Sequence, residues 1–326
     1  MVVAGLVVTK IHGDGSPWPF AQGTTQYSLG NSQAISCPTS HFCGIAELDA
    51  MSIWAHGAVK KTRADLPETP YGRDFFNSIS CPTTTFCLAV TFGGSAEYYV
   101  GGHWRGHSKV TSTNSEGLNT VSCASPTFCL AGSTTDEAYV FDGHSWRGVG
   151  SPQPSAAESQ SGEILAVSCV KTRVCYAGTG MINPGTADGS GQVFEFSGDS
   201  WTPSSNVVVN AISAVSCDGP DTCIAGTNGS QYLTFSGFGW SDPNQLMVTN
   251  GTPDINDIVG ASCSGFSGEC YVLDSGGAVY SIDTIQSLSP KLTQVVPDAA
   301  ILGPALSCAP SGPCFLVDGS LFENGS

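Results

Sequence analysis

The residues best equipped for chemistry lie close together in the chain. Glu47 and Asp49 precede the segment TRADLPETPYGRDFFN at 62–77, which carries Arg63, Asp65, Glu68, Tyr71, Arg73 and Asp74. The 326 residues include only 11 Lys and Arg, so two arginines this near each other are a local concentration. Carboxylates beside Arg and Tyr bind sugar hydroxyls, and a pair of acids with separated pKa values does acid–base work on a glycosidic bond. The same residues also fit a solvated loop whose surface ion pairs contribute little. These eight positions form the candidate ligand-binding set, and none is assigned a catalytic role.

Other patterns are weaker. Asp254 and Asp257 in NGTPDINDIV could lend oxygens to Ca2+, which takes roughly six to eight of them. They match no calcium-loop spacing, so no cofactor or metal is expected. His103 and His107 on a strand would stand about 13 Å apart, too far for one zinc ion. The chain has no Gly-x-Ser-x-Gly, phosphate-binding loop or dinucleotide fingerprint. The sequons at Asn228 and Asn250 matter only in a eukaryotic secretory setting. The segments GSPQPSAAESQSGE and GTGMINPGTADGSGQ read as flexible rim, or alternatively as a lid or partner-contact loop.

The elements that must position these residues are repeats. The 14 cysteines fall as Cys37/Cys43, Cys81/Cys87, Cys123/Cys129, Cys169/Cys175, Cys217/Cys223, Cys263/Cys270 and Cys308/Cys314. The first cysteines are 44, 42, 46, 48, 46 and 45 residues apart. Each pair is flanked by short apolar runs, such as TVSC before and CLAG after. A further run then ends in a glycine turn and a tryptophan, as in AYVFDGHSW. No sustained helical period appears, so helix content should be low. Repeats of this length built of short strands are the mark of propeller blades, which bury their faces only against one another. The expected fold is therefore all-β, a seven-bladed β-propeller of four-stranded antiparallel blades, with strands A to D running outward. The pairs are read as one disulfide per blade across the A–B hairpin, with the two cysteines opposite each other at the turn. Pairs in different blades cannot share a zinc ion.

A single domain spanning 1–326 is expected. Residues 1–32 would close the last blade, and the blades would occupy 33–76, 77–118, 119–163, 164–211, 212–257, 258–303 and 304–326. GDGSPW places Trp18 at 19 residues before Cys37, the spacing of Trp104 to Cys123. Trp18 should thus open strand D of the last blade. SLFENG near the C-terminus and LVVTKI near the N-terminus both read as its strand C. A surplus strand could pair with a neighbouring molecule, so self-association through the terminal strands is an alternative to closure within one chain. Two blades depart from the pattern. Blade 1 has Ala58 where the tryptophan is expected, and blade 6 has no tryptophan.

The repeat SCPTTTFCLAV, followed by a glycine turn and Trp, resembles the cysteine-stapled propeller repeats of secreted actinobacterial proteins. The resemblance covers about 15–326. It implies the seven-bladed fold and no particular activity, since propellers host lectins, glycosidases, lyases, sensors and protein-binding platforms. A net charge of −16 excludes phosphate-backbone binding to nucleic acid and attachment to anionic membranes. No segment is long and apolar enough for membrane insertion. Fourteen cysteines indicate an oxidising compartment. MVVAGLVVTK resembles no signal peptide, so the chain reads as a mature or trimmed secreted form with an added Met1. The B–C and D–A loops share one face and vary from blade to blade, which places function there. The expected function is a secreted, extracellular binding scaffold for a glycan or protein. A glycoside hydrolase or polysaccharide lyase is the alternative if the chain is an enzyme, and a strand-exchanged structural subunit is the third reading.

Overall fold

The computed structural model describes residues 7–11, 25–28, 32–64, 66–69, 72–111, 113, 116–153, 162–171, 173–180, 191–205, 209–248, 251–264, 268–284, 291–295, 305–310 and 314–323. No helix occurs among them. Six four-stranded antiparallel sheets follow each other in chain order, each with its strands in sequence from A to D. Blade 1 comprises Ser32–Thr39, Phe42–Glu47, Ala50–Ala55 and Ala58–Arg63. Strand B lies between A and C within its sheet and between neighbouring blades on both faces. Its sequence is accordingly a continuous apolar run, and Phe42–Glu47, Phe86–Thr91 and Phe128–Ser133 are buried at every position. Seven apolar clusters fill the seven gaps between consecutive blades, including the gap between the last blade and the first.

All seven cysteine pairs form disulfides across the A–B hairpin. Cys123 faces Cys129 directly in the ladder, as Cys169 faces Cys175 and Cys217 faces Cys223. Blades 1 and 2 keep the same register, with Gly44 facing Ser36 and Leu88 facing Ser80, and their cysteines stand as close, with Cα atoms 4.1 and 4.0 Å apart against 3.9 Å in blade 3. In each of blades 1 to 5 the ladder shifts by one residue just past the cysteines, toward the hairpin turn. The second cysteines, Cys43, Cys87, Cys129, Cys175, Cys223 and Cys270, are all at 0 % exposure. They lie inside the gaps between blades, so the staples are interior structure and offer no group to a ligand.

The serine before each first cysteine has a separate role. The backbone N–H of Cys81 donates to Ser36 Oγ at 2.9 Å, and that of Cys123 to Ser80 Oγ at 2.9 Å. The pattern continues from Cys169 to Ser122, Cys217 to Ser168, Cys263 to Ser216 and Cys308 to Ser262. Cys37 N–H donates to Ser307 Oγ at 2.9 Å and completes the circle. Each strand A thus satisfies one backbone donor with a hydroxyl from the preceding blade. This belt explains why SC, rather than C alone, recurs seven times.

Side-chain size is matched across the gaps. Gly132, Gly178 and Gly226 on strand B leave room for Ile164, Ile212 and Ile258 at the start of the next strand A. A Cβ at any of these glycines would stand 2.3–2.4 Å from the isoleucine Cγ2. Trp104, Trp146, Trp201 and Trp240 open strand D and pack on Tyr99, Phe141, Phe196 and Phe235 of strand C, with ring centroids 5.0–5.4 Å apart. Blade 1 solves the same problem differently. Trp54 occupies the strand C position opposite Cys43 and packs on Phe315 of the last blade. Its large ring fills the space that a smaller ring plus a strand D tryptophan fill elsewhere.

The seventh blade is assembled from both ends of the chain. Ala305–Cys308 is strand A, and it pairs with the first half of Cys314–Glu323. Val7–Ile11 pairs antiparallel with the opposite edge of that strand, Ile11 facing Cys314 and Val8 facing Val317. The N-terminal strand therefore takes position C and closes the ring. Of the two segments that read as strand C, LVVTKI takes the position and SLFENG does not. Residues 318–323 continue strand B without a turn, and Thr25–Ser28 pairs with 320–323. Asp318–Gly319 reads as a turn because this dipeptide is a common hairpin signal. Here the two residues are instead a bulge, between Val317 facing Val8 and Ser320 facing Val7 and Ser28. Trp18 and the expected strand D lie outside the described residues.

Candidate functional site

The loop face begins where strand B ends, four residues past its cysteine. That position holds Glu47, Thr91, Ser133, Thr179, Thr227 and Asp274 in blades 1 to 6, each at most 1 % exposed. In most blades this side chain caps the B–C turn. Thr91 Oγ1 accepts from Ser95 N–H, Ser133 Oγ from Glu137 N–H, Thr227 Oγ1 from Gln231 N–H and Asp274 Oδ1 from Ala278 N–H. Glu47 belongs to this structural set. It accepts from Ser52 Oγ at 2.5 Å and from Lys61 Nζ, tying strands B, C and D together. Repetition of the turn, rather than a shared ligand, accounts for these polar residues.

The other members of the blade 1 set separate into anchors and presented groups. Ala64 and Leu66 are buried in the cluster between blades 1 and 2 and pin the connecting loop. Asp74 is 3 % exposed, and its Oδ1 accepts from the N–H groups of Phe75 at 2.8 Å and Gly93 at 2.6 Å. Its Oδ2 has no hydrogen-bond partner among the described residues. Between the anchors, Glu68–Thr69 and Gly72–Arg73 form a two-stranded ribbon, with Glu68 opposite Arg73 and both exposed. Asp49 contributes its carbonyl oxygen to Ala64 N–H. The side chain of Arg63, together with Asp65 and Tyr71, lies outside the described residues. Glu68 and Arg73 are thus presented together, while Glu47 and Asp74 turn inward.

Around Asp74 the same face gathers further charge. Lys109 Nζ donates to the Gly93 carbonyl at 2.7 Å. Burial lowers its pKa, and the charges of Asp74 and Glu116 oppose that fall. Glu116 is buried and accepts from Tyr139 Oη at 2.7 Å. Glu137 is exposed, and its carboxyl is pushed up by burial of the group and then by the Glu116 charge. One sector of the loop face, from blade 1 to blade 3, therefore combines an exposed Glu68–Arg73 ribbon with Lys109 and Glu137 over a bed of buried acids.

A second acid cluster lies between blades 5 and 6. Sequence spacing pairs Asp254 with Asp257, but the fold brings Asp254 to Asp274, 20 residues on. Tyr280 Oη donates to Asp254 Oδ2, Asn256 N–H donates to Asp254 Oδ1 at 2.9 Å, and Asn256 Nδ2 donates to Asp274 Oδ2 at 3.4 Å. Burial pushes Asp274 up to about 6, reinforced by its hydrogen bond with Asp254 and that group's charge. Burial also presses on Asp254, but the donors from Tyr280 and Asn256 outweigh it and hold that carboxyl below its ordinary value. One proton shared by two acids normally suggests catalysis. Here Asp254 is 4 % exposed, while Asp274 and Tyr280 are at 0 %. A substrate cannot reach them, and the trio instead locks the entry to blade 6. No cluster of metal-ligating side chains occurs among the described residues. The convergence of Asp254, Asp274 and Tyr280 is not visible in the sequence, because it depends on how the D–A loop folds over the B–C turn.

The fold defines the chain as a β-propeller. No protein family matches it, and no curated protein is similar in sequence. Solved structures are similar in shape. A structure of YCF48 bound to a D1 peptide superposes with a TM-score of 0.63 at 10 % identity, covering 95 % of this chain and 97 % of that one. The Myceliophteria thermophila Cps50 (Swd1) β-propeller domain gives 0.65 at 11 % identity, covering 90 % and 98 %. The WD40 β-propeller domain of Doa1 gives 0.62 at 11 % identity, covering 91 % and 97 %. At such identities the likeness is one of fold alone.

Proposed function

We propose that this protein is a secreted, non-enzymatic β-propeller scaffold that binds a protein segment on its loop face, in the sector of blades 1 to 3. The observation that carries this reading is how the acids are used. Glu47, Asp74, Glu116, Asp254 and Asp274 are all buried, and each is engaged by neighbouring groups of the fold. The exposed ribbon Glu68–Arg73, with Lys109 and Glu137, offers mixed charge in one asymmetric patch, which suits recognition of a single segment better than repeated capture of sugars. The net charge of −16 favours a basic partner segment. One propeller of similar fold is described with a bound peptide, which makes a peptide ligand a natural occupant of such a face. The seven disulfides fit an oxidising, extracellular or periplasmic setting.

The test is selection of peptides from a random displayed library, with a glycan array run in parallel. Basic peptides should be enriched, and their binding should drop about tenfold or more in a Glu68→Lys/Glu137→Lys variant. Enrichment confined to glycans, or peptide binding indifferent to those charges, would overturn the reading.

A further inference from the structure

Blade 1 departs from its neighbours on the face that carries the disulfide hairpins. There the A–B turn meets the C–D turn through a backbone hydrogen bond. His56 N–H donates to the His41 carbonyl at 3.0 Å, as Gly101 N–H donates to Thr85 in blade 2 and Gly198 N–H to Arg173 in blade 4. All three donors sit at positive φ, 59° and 58° in the two glycines and 47° in His56. Glycine takes this conformation freely, and a residue with a Cβ takes it at a cost. Glycine satisfies the same turn in blades 2 and 4, so the backbone does not explain the histidine.

Its side chain does. His41 and His56 are both exposed, their ring centroids are 5.8 Å apart, and their planes differ by 17°. Exposed rings bury little surface, so packing is a weak reason for the pair. Neither ring has a hydrogen bond or an ion pair among the described residues, whereas His107 stands 3.6 Å from Glu97. The backbone beneath the rings is held firmly. His41 N–H donates to Thr39 Oγ1 at 3.3 Å, and the Cys37–Cys43 bond closes the hairpin that carries it. Two imidazoles that bind one ion through bonds of about 2.0–2.1 Å place their centroids roughly 4.5–6.4 Å apart, for angles at the metal from about 90° to about 180°. The observed spacing falls inside that range, so only rotation of the rings about their side-chain bonds is needed to aim both at one ion.

We propose that His41 and His56 form an open binding site for one divalent late transition-metal ion, with Cu2+ held most tightly. Imidazole suits Cu, Ni and Zn, and Cu2+ heads the affinity order of the divalent series. The pair supplies two ligands, and the remaining positions are left to water or to a donor on a bound molecule. No group of three such ligands is brought together among the described residues, so this is an open site rather than a closed structural one. It lies on the face opposite the variable loops and is independent of the loop-face reading.

The probe is Cu2+ alone, added as its chloride to the full chain at neutral pH and followed by titration calorimetry and pulsed electron paramagnetic resonance. One ion per chain should bind saturably, with two imidazole nitrogens in its resonance signature. His56→Gly removes one ligand and gives the turn the residue that blades 2 and 4 use. Its melting curve should stay unchanged or shift upward, while Cu2+ affinity falls about tenfold or more. His41→Ala should weaken binding by a similar factor, and His103→Ala/His107→Ala should not. The proposal is overturned if His56→Gly binds Cu2+ as well as the unmodified chain, if the signature shows a single imidazole, or if binding follows His103 and His107. Any of these results would mark the ion as adventitious. Glu68→Lys/Glu137→Lys should leave Cu2+ binding unchanged, which separates failure of this site from failure of the loop-face reading.

Discussion

Replacing Ser307 with alanine tests the closure of the ring at a single atom. Ser307 Oγ accepts the Cys37 N–H at 2.9 Å, and this is the belt contact that joins the last blade to the first. Losing a hydrogen bond of this kind costs about 1 kcal/mol net, and leaving a partly buried donor without an acceptor raises the loss to about 1–2 kcal/mol. Alanine fits the same space, so no packing change is added. The Cys37 amide should then exchange with solvent roughly ten times faster, provided that exchange proceeds by local opening of the seam. The assay is hydrogen exchange of the Cys37 amide under non-reducing conditions, with Ser122→Ala and the Cys169 amide as an internal reference, since that contact is also 2.9 Å. The two effects should agree within a factor of about three. A Cys37 amide that exchanges fast in the unmodified protein and ignores Ser307→Ala, beside a normal response at Cys169, would refute closure between the last and first blades.

Three other perturbations have defined outcomes. Gly178→Ala places a Cβ 2.3 Å from Ile212 Cγ2 and should cost about 1–3 kcal/mol in denaturant unfolding; combined with Ile212→Ala, the two losses should sum to less than their separate values. Burial pushes Glu97 from 4.5 up to about 7, so the folded state holds this proton more tightly than the unfolded chain does. Its contribution is complete below about pH 4.5 and is lost as pH rises through about 7. Thermal midpoints should therefore fall over that window, and Glu97→Gln should flatten the profile by an amount on the order of 1 kcal/mol after solvent screening. Removing one staple with Cys169→Ala/Cys175→Ala should cost about 2 kcal/mol and leave the fold intact, read as a lower melting point with an unchanged circular dichroism spectrum.

The repeat is legible because cysteine spacing, apolar runs and glycine turns are local signals that recur. Seven copies of the same pattern also expose what varies, which is how the missing tryptophans of blades 1 and 6 stand out. What cannot be read depends on backbone detail or on contacts between distant segments. The one-residue shift just past the cysteines, between Phe86 and Leu88 in blade 2 and between Cys123 and Ser125 in blade 3, leaves no mark in the cysteine spacing. Trp54 replaces the blade 1 tryptophan from strand C, a choice made by the space beside Phe315. Asp318–Gly319 has the look of a turn, but it is a bulge, because the flanking Val317 and Ser320 pair with strands from the other end of the chain. Within the candidate site, acids close in sequence look like one constellation. The fold divides them, since Glu47 meets Lys61 and Asp74 meets Gly93, while Glu68 faces Arg73 on an exposed ribbon.

The composite seventh blade gives the molecule a mechanical direction. Val7 faces Ser320 at one end of the ladder, and Ile11 faces Cys314 at the other. Tension applied between Val7 and Glu323 therefore acts at the Val7 end and should open the ladder one pair at a time, like a zipper, instead of shearing all pairs together. Closing that zipper joins segments about 300 residues apart, a loop-closure cost of about 5 kcal/mol that no hairpin within the other blades has to meet. On that argument the seam should be the last part of the ring to form, and in a pulling experiment between those two ends it should yield before the stapled blades.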